Sequence, residues 1–509
     1  MKPRITSIIA GLCLLIQGFL FGQVELRNEF SLTDLYLNIT RPATCLNRQL
    51  NPGWQIENCT GNHMAYYTSF NSDFGQYKLP YAPRQRRDWN YIAAGEKRLF
   101  ENGLFSGYVG YRQQRLFDKK WVHNRLPYRG IPFLLADSST GGIELTGIHW
   151  QLGYSHELIK DKLYLGSSLF YNVDEEHKTV FPKPINKHRD LVLSTGLGYI
   201  INQYFKTGFS FSYFDFQEIM KTSKYSLDQD KTPTFFNIRG LDNPIISRGQ
   251  TSEEREIDID GYRIKFDGQI QDLIVDKLNL IGGYEYAYAD VIDGGAYPVP
   301  QGTWYSGRIF FSANAIFSLS RKLKTEIFSS GQINNQNADH PDLDIAIYEY
   351  RQEMIRGGIA CHLSFKNWFT LSPSVYGSSC YLKRVDKFNG ILDYYPANSY
   401  GAQLDIDFYR YKNVEFNLVL GNEVTRLQDS KIFTREEGWY YDRITQKEIL
   451  FYKSNKQYPW IGSTFKWFYK PGLNFLLSFR YGRLISRDNN YFSGKKRGNI
   501  DINFSIEYY

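Results

Sequence analysis

Chemistry in this 509-residue chain is sought first at its eight histidines. His149 and Ser155 have the residue types of a base and a nucleophile, and their even separation puts both on one side of an extended strand. Six residues of strand span about 20 Å, however, so the two side chains cannot touch. His177 and His188 share a polar loop with Asp174, Glu175 and Glu176, and have the donor types for a metal or haem. The same spacing is common in solvated loops, so neither a metal site nor a cofactor is assigned. No Ser/His/acid or Asp/His set supports an enzyme.

A second group of polar residues says more. Arg308, Lys466 and Arg480 alternate with apolar neighbours, and so do Glu285, Asp405, Asp407, Glu415, Glu423 and Asp501. Successive side chains on a strand point to opposite faces, so each such segment has a wet face and an apolar face. The last residues are the clearest case. Ile500, Ile502, Phe504, Ile506 and Tyr508 point one way, and Asn499, Asp501, Asn503, Ser505 and Glu507 the other. Tyr400, Ala402, Leu404, Ile406 and Phe408 interleave in the same manner with Gly401, Gln403, Asp405 and Asp407.

Alternation alone also fits a soluble sandwich or propeller, so the connections decide. Tight ones (Glu101-Asn102-Gly103, Lys160 to Lys162, Lys366-Asn367, Lys412-Asn413, Lys470-Pro471-Gly472) alternate with long polar ones, the longest at about residues 221 to 254. Bacterial membrane barrels sort their connections in this way, with short periplasmic turns and long extracellular loops. Composition agrees: 17% of the chain is aromatic, with 40 Tyr and 36 Phe, although mean hydropathy is only −0.44. Aromatic girdles at two bilayer interfaces account for that combination. After residue 22 no apolar run approaches the roughly 20 residues of a spanning helix. A formal charge of +7 without a basic stripe gives no reason to expect nucleic acid.

Lys2 and Arg4 precede an apolar run from Ile5 to Phe21, ended by Gly22 and polar Gln23, which reads as a signal peptide over residues 1–22. Residues 23–61 are then an N-terminal segment on the periplasmic side. They are clipped by a Cys45–Cys59 disulfide in a Pro/Gly/Asn-rich loop, or enter the lumen from below. They are too few for the globular plug of a TonB-dependent transporter. Cys361 reads as a small hydrophobe. Residues 62–509 form the barrel. Eight tight hairpins counted from Trp89, a lone final strand and an early strand near His63 to Leu79 give an all-β, closed antiparallel transmembrane barrel of about eighteen strands, or sixteen if irregular stretches are misread. A change of apolar phase near Asp260 predicts a β-bulge.

A charge on the lipid face costs kilocalories, so the alternating ionic residues must line the lumen: Arg308, Asp405, Asp407, Glu415, Glu423, Lys466, Arg480 and Asp501. Paired across the lumen they close it, and along a water column they set ion preference. A turn at Tyr411 to Asn413 places Asp407 opposite Asn417 and Asp405 opposite Val419. An inward aromatic set (Tyr164, Phe170, Trp460, Phe468) offers either a sugar-stacking surface or simple filling.

The final strand, running to Asn503-Phe504-Ser505-Ile506-Glu507-Tyr508-Tyr509, resembles the assembly signal of outer-membrane barrels, with its alternation in phase with Tyr508. The aromatic composition and long loops resemble the porin-sized barrels of Bacteroidota, including families without assigned function that are encoded near nutrient-uptake systems. That resemblance spans about residues 62 to 509 and carries over no functional residue. It implies a place in the cell outer membrane among lipid and lipopolysaccharide, insertion by the barrel-assembly machinery, and contact with surface lipoproteins or an uptake complex. The function classes left open are a channel or barrel component of a nutrient-uptake system, a surface receptor or accessory barrel with an occluded lumen, and, least supported, an outer-membrane hydrolase.

Overall fold

The computed structural model describes residues 51–58, 62–100, 102–124, 131–223, 234–242, 244–248, 252–273, 275–295, 297–343, 345–365, 368–411, 413–433, 438–487 and 494–508. The expected signal peptide and the Cys45–Cys59 pairing lie outside these residues. The described strands are β1 (His63–Gly75), β2 (Gln85–Leu99), β3 (Gly103–Lys119), β4 (Phe133–Ala136), β5 (Gly141–Ile159), β6 (Leu163–Lys178), β7 (Ile185–Asn202) and β8 (Phe205–Ser223). There follow β9 (Thr234–Arg239), β10 (Ile245–Arg248), β11 (Ser252–Gln271), β12 (Lys277–Asp293), β13 (Val299–Ser320), β14 (Leu323–Asp339) and β15 (Ala346–Phe365). The chain ends through β16 (Phe369–Asp386), β17 (Ile391–Tyr411), β18 (Val414–Leu427), β19 (Lys431–Phe433), β20 (Lys456–Lys470), β21 (Leu473–Ser486) and β22 (Lys496–Tyr508).

Nineteen of these strands form one sheet, in which β19 pairs only with β17; the other eighteen make an antiparallel ring. β22 returns to β1, with Met64 opposite Tyr508 and Gly75 opposite Arg497, so the ring has no free edge. Closure satisfies the backbone groups that lipid cannot. Among the described residues no helix is long and apolar enough to cross a membrane.

The tight turns join β2–β3, β5–β6, β7–β8, β11–β12, β13–β14, β15–β16, β17–β18 and β20–β21, all at one end of the ring. Gly472 (φ 82°) and Asp161 (φ 56°) adopt the left-handed conformation these reversals need. The remaining connections, from the four residues between β16 and β17 to those that carry β4, β9, β10 and β19, are at the other end.

Facing follows the two-residue period. Phe209, Phe211, Ile309, Phe311, Phe465, Phe479, Ile502 and Phe504 are exposed on the outside, the apolar belt a bilayer requires, while Ser505 and Glu507 are buried inside. Asp407 lies opposite Asn417 and Asp405 opposite Val419, as the turn position predicted. The expected bulge near Asp260 is absent: β11 keeps unbroken register with β8 and β12. Ile257 and Ile259 are buried in the interior and Tyr262 and Phe266 are exposed outside, so it is the interior that turns apolar toward the long-loop end. Inside the wall, aromatic rings lie flat where a Cβ would otherwise stand, Tyr376 over Gly401, Trp460 over Gly421 and Tyr458 over Gly482. Such pairs pin the register of neighbouring strands.

Phe504 and Asn503 are adjacent but meet lipid and lumen. A midplane charge costs about 2–4 kcal/mol for Lys or Arg and less for Asp. Phe504→Asp is therefore expected to lower the folded fraction in heat-modifiable gel mobility, with Asn503→Asp close to wild type. Equal losses would show that the facing is wrong.

Candidate functional site

The interior of the ring is the candidate site, and at its long-loop end it is filled. The segment Phe-Leu-Leu-Ala of β4 pairs antiparallel with β9, and β9 with β10, so two long connections meet in a small three-stranded sheet. Its β4 and β9 strands are buried on both faces, while Ile245 and Ile246 of β10 are exposed. Phe133, Leu135 and Phe235 pack into a cluster with the wall residues Phe214, Ile257, Trp304, Tyr348 and Leu382. Leu134, Ala136, Phe236 and Ile238 pack on the opposite side against Tyr81, Trp121, Val122, Tyr440 and Ile444. The connection from β19 to β20 adds helix α1 (Gln446–Lys453), whose Ile449 is also buried. The 221–254 stretch, expected as a long polar loop, thus sends β9 into the mouth, and Asp242 within it is buried.

Buried charged side chains, through two ion pairs and one hydrogen bond, fasten these loop elements to the wall at three places around the rim. Lys178 of β6 places its Nζ 2.8 and 2.7 Å from the two carboxylate oxygens of Asp137, while His123 Nε2 lies 2.9 Å from Asp137 Oδ2. Lys119 and Glu176 stand 3.4 Å apart beside them. Arg255 of β11 donates to Asp293 at 2.6 and 2.8 Å and to Asn237 of β9 at 2.6 Å. Arg384 of β16 donates to Asp393 at 2.6 Å and to Glu448 of α1 at 2.8 Å, and Tyr81 donates to the same Glu448 at 3.2 Å. Asp386 adds a neutral clip by accepting from the Leu241 backbone at 2.6 Å. Burial pushes the Asp137 carboxyl up, but His123 and Lys178 outweigh it and hold it well below the usual carboxylate range. Burial in turn keeps His123 below the ordinary imidazole value.

Deeper in the ring, ionic side chains pair along the wall rather than across the lumen. Glu285 takes Arg263 at 2.6 Å and Arg308 at 3.6 Å, and Arg308 also donates to Gln332 at 3.2 Å. Lys466, opposite Glu415 in register, is 4.0 Å from Glu507. Asp501 accepts from Asn71 and faces Arg480 across the ladder. Arg480 lies over the Trp460 ring at 5.5 Å. Glu423 accepts from the Tyr376 hydroxyl at 2.9 Å. Asp405 and Asp407 take amide donors, Gln403 at 2.9 Å and Asn417 at 2.6 Å.

The aromatic candidates do not form one platform. Phe170 belongs to the interior apolar cluster, Tyr164 packs on Trp54 with centroids 5.8 Å apart, Trp460 stacks on Tyr458 at 5.5 Å, and Phe468 lies under Lys466 at 5.1 Å.

His149 and Ser155 both face inward and are buried, but Ser155 donates to the Gly53 carbonyl at 3.2 Å instead of meeting a base. His177 and His188 sit on strands rather than in a shared loop, and on opposite faces. His177 is exposed beside Glu175, while His188 is buried 3.3 Å from Glu218. Among the described residues no three His, Cys, Asp or Glu side chains gather as a metal would require.

Three adjacent strands bring together a set that sequence spacing did not reveal. His362 Nδ1 lies 2.9 Å from Ser372 Oγ, and His362 Nε2 lies 3.2 Å from Glu326. In a hydrolytic relay the serine meets Nε2 and the acid Nδ1, the reverse of this order. The imidazole here bridges three strands. The cap residues were missed as well, although they left a signal: an apolar run such as Phe133 to Ala136 inside a connection has to be buried somewhere.

The sequence profile of a family described as "Family of unknown function (DUF6850)" matches residues 55–509. Among solved structures, the ferric yersiniabactin uptake receptor FyuA from Yersinia pestis aligns at TM-score 0.45 and 9% identity, covering 88% of this chain and 80% of that one. BauA, the ferric preacinetobactin receptor from Acinetobacter baumannii, aligns at 0.43 and 8%, covering 88% and 80%. A Pseudomonas aeruginosa FadL homologue aligns at 0.32 and 10%, covering 92% and 94%. No curated protein matches the chain.

Removing one partner of a buried ion pair typically costs about 3–5 kcal/mol, because the other charge is left uncompensated. Arg384→Leu strands both Asp393 and Glu448. The expected result is faster hydrogen exchange in residues 446–453 and 133–136, with β20–β22 protected as before. Unchanged protection of the helix would mean that the apolar contacts hold the cap alone.

Proposed function

The chain belongs to this family of unknown function, and we propose that it is an outer-membrane barrel closed at rest, acting as a gated component of a nutrient-uptake system rather than as a standing channel. The observation that carries the reading is the β4–β9 pair inside the mouth, buried on both faces and held to the wall by the Lys178–Asp137 ion pair and the Arg255–Asn237 hydrogen bond, beside a helix held by Arg384–Glu448. An aqueous pore has no need to bury apolar loop strands in its own lumen. A surface receptor or accessory barrel that never opens is the second reading, supported by the same filling.

In this reading the short-turn end faces the periplasm and the long-loop end the cell exterior, with a signal peptide removed before insertion by the assembly machinery. Lipid and lipopolysaccharide surround the belt, and a surface lipoprotein or other uptake partner meets the loops. The resemblance to barrels of Bacteroidota belongs to the same proposal. The outlined charges Arg308, Asp405, Asp407, Glu415, Glu423, Lys466, Arg480 and Asp501 would then line the path of a solute once the cap moves, and no step of catalysis is assigned to them.

Single-channel recording in a planar bilayer tests the proposal. Wild type is expected to be silent at pH 7, and a Lys178→Met/Arg384→Leu variant to conduct. A wild type with steady conductance overturns closure at rest, and a silent but cap-mobile variant moves the assignment to the receptor reading.

The Asp137 site adds a pH dependence of defined sign. A carboxyl held low in the folded state contributes stability above its ordinary value, lost as pH falls through the folded one, so the cap loosens below about pH 4. Burial lowers the His123 imidazole, so its protonation as pH falls below about 6.5, its ordinary value, acts in the same direction. Acid-induced openings in wild type, and in Asp137→Asn the loss of the step below about pH 4 with the His123 step remaining, are the expected records.

A further inference from the structure

The short-turn end of the lumen holds a second occupant, contributed by the chain's own N-terminal side. Asn51-Pro52-Gly53-Trp54 forms a tight 3-10 turn in which the Asn51 side chain accepts from the Gly53 amide at 3.0 Å, and Gln55–Asn58 continues it by one helical turn. Asn51 through Ile56 are all buried, although the segment adds no strand to the sheet.

The wall beneath it is made of glycine. Gly166 faces Gly196 in the ladder and Gly198 faces Gly208, four glycines on three adjacent strands. A Cβ at Gly166 would strike the Pro52 carbonyl, one at Gly196 the Asn51 side chain, and one at Gly198 would stand 2.7 Å from the Trp54 ring. At Gly208 it would meet both Asn51 and, at 2.7 Å, Trp54 Nε1. Glycine within a strand weakens it and marks close approach of another backbone; here each of the four marks the same turn.

Polar contacts fix the orientation. Trp54 Nε1 donates to Asp267 at 2.6 Å, Asn51 Nδ2 to the Phe209 carbonyl at 2.9 Å and also to that of Leu197, and Ser155 to the Gly53 carbonyl at 3.2 Å. Ser106 donates to Gln55 at 3.4 Å, and Lys206 pairs with Glu57. Trp54 and Ile56 pack with Leu104 and Tyr164.

We infer that the inner wall of β5–β8 is a peptide-binding site shaped for an Asn-Pro-Gly-Trp turn, occupied by the chain's own residues 51–58, and that this occupant is an exchangeable stopper. Its departure breaks side-chain contacts but no rung of the wall ladder, so it opens as a unit separate from the barrel. The seat rests on the geometry alone, and only the consequence of emptying it, a freed short-turn end, rests on the gated reading.

The test uses the full-length protein in detergent. Asn51→Ala/Trp54→Ala loosens the occupant without touching the wall. Hydrogen exchange over residues 53–58 should rise at least about tenfold, the factor for loss of roughly one buried hydrogen bond, with β5–β8 and β4 unchanged. A dye-labelled synthetic peptide of residues 48–60 with Ser in place of Cys59 should then bind this variant and not the wild type, whose seat is filled. Gly196→Leu, checked for folding by heat-modifiable mobility, should release the segment and bind no peptide. Unchanged exchange in the Asn51→Ala/Trp54→Ala variant overturns the seat. A released segment with no peptide bound overturns exchangeability. Conductance of the wild type bears on closure at rest and leaves these outcomes as they stand.

Discussion

Lipid offers no hydrogen bond, and that one deficiency organises the molecule. Every backbone group in the belt must find its partner within the sheet, so the sheet closes, and β22 lies against β1. Closure fixes an inside and an outside, and from then on each residue of a wall strand belongs to one or the other by parity. Phe504 outside and Ser505 inside differ by one position. The connections at one end stay short, while those that carry β4, β9, β10 and β19 leave from the other.

A ring of eighteen strands leaves an interior that water or protein must fill. Here protein fills much of it, and the division of labour is physical. Apolar side chains of β4 and β9 provide the burial, which is not directional, while ion pairs at Lys178 and Arg384 and the Arg255–Asn237 hydrogen bond fix where the cap sits. Buried ion pairs add little net stability but are costly to leave half-made. A cap held by such pairs therefore has a well-defined closed position, and a change in one partner is felt across the whole contact.

The wall was legible in the sequence because its two faces meet two different solvents, which stamps a period of two on each strand. The strand count, the sorting of turns and the Asp407–Asn417 register followed from that period and from where the turns fell. The interior was not legible for the same reason. Ile257 and Ile259 broke the period, and a local rule reads such a break as a bulge, whereas the strand runs unbroken and faces an apolar cap supplied by β4 and β9, in two separate connections that no local window includes. The site residues divide similarly. Inward parity could be counted, but the partners of Arg384 or His362 come from neighbouring strands and distant loops, and spacing along one strand carries no trace of them.

The two closures differ in how they are tethered, and this bears on how each can open. The cap strands are held at both ends, since β4 runs from β3 to β5 and β9 from β8 toward β11, so they can shift only within the slack of those connections. Among the described residues, 51–58 are joined to the wall strands through β1, on their C-terminal side, and rest on glycines that leave no side chain between them and the ladder. An element tied at both ends responds to what binds its exposed face or alters its ionic anchors. An element that lends the sheet no strand responds to competition for its seat. On the proposed reading the two ends of the barrel therefore answer to different inputs.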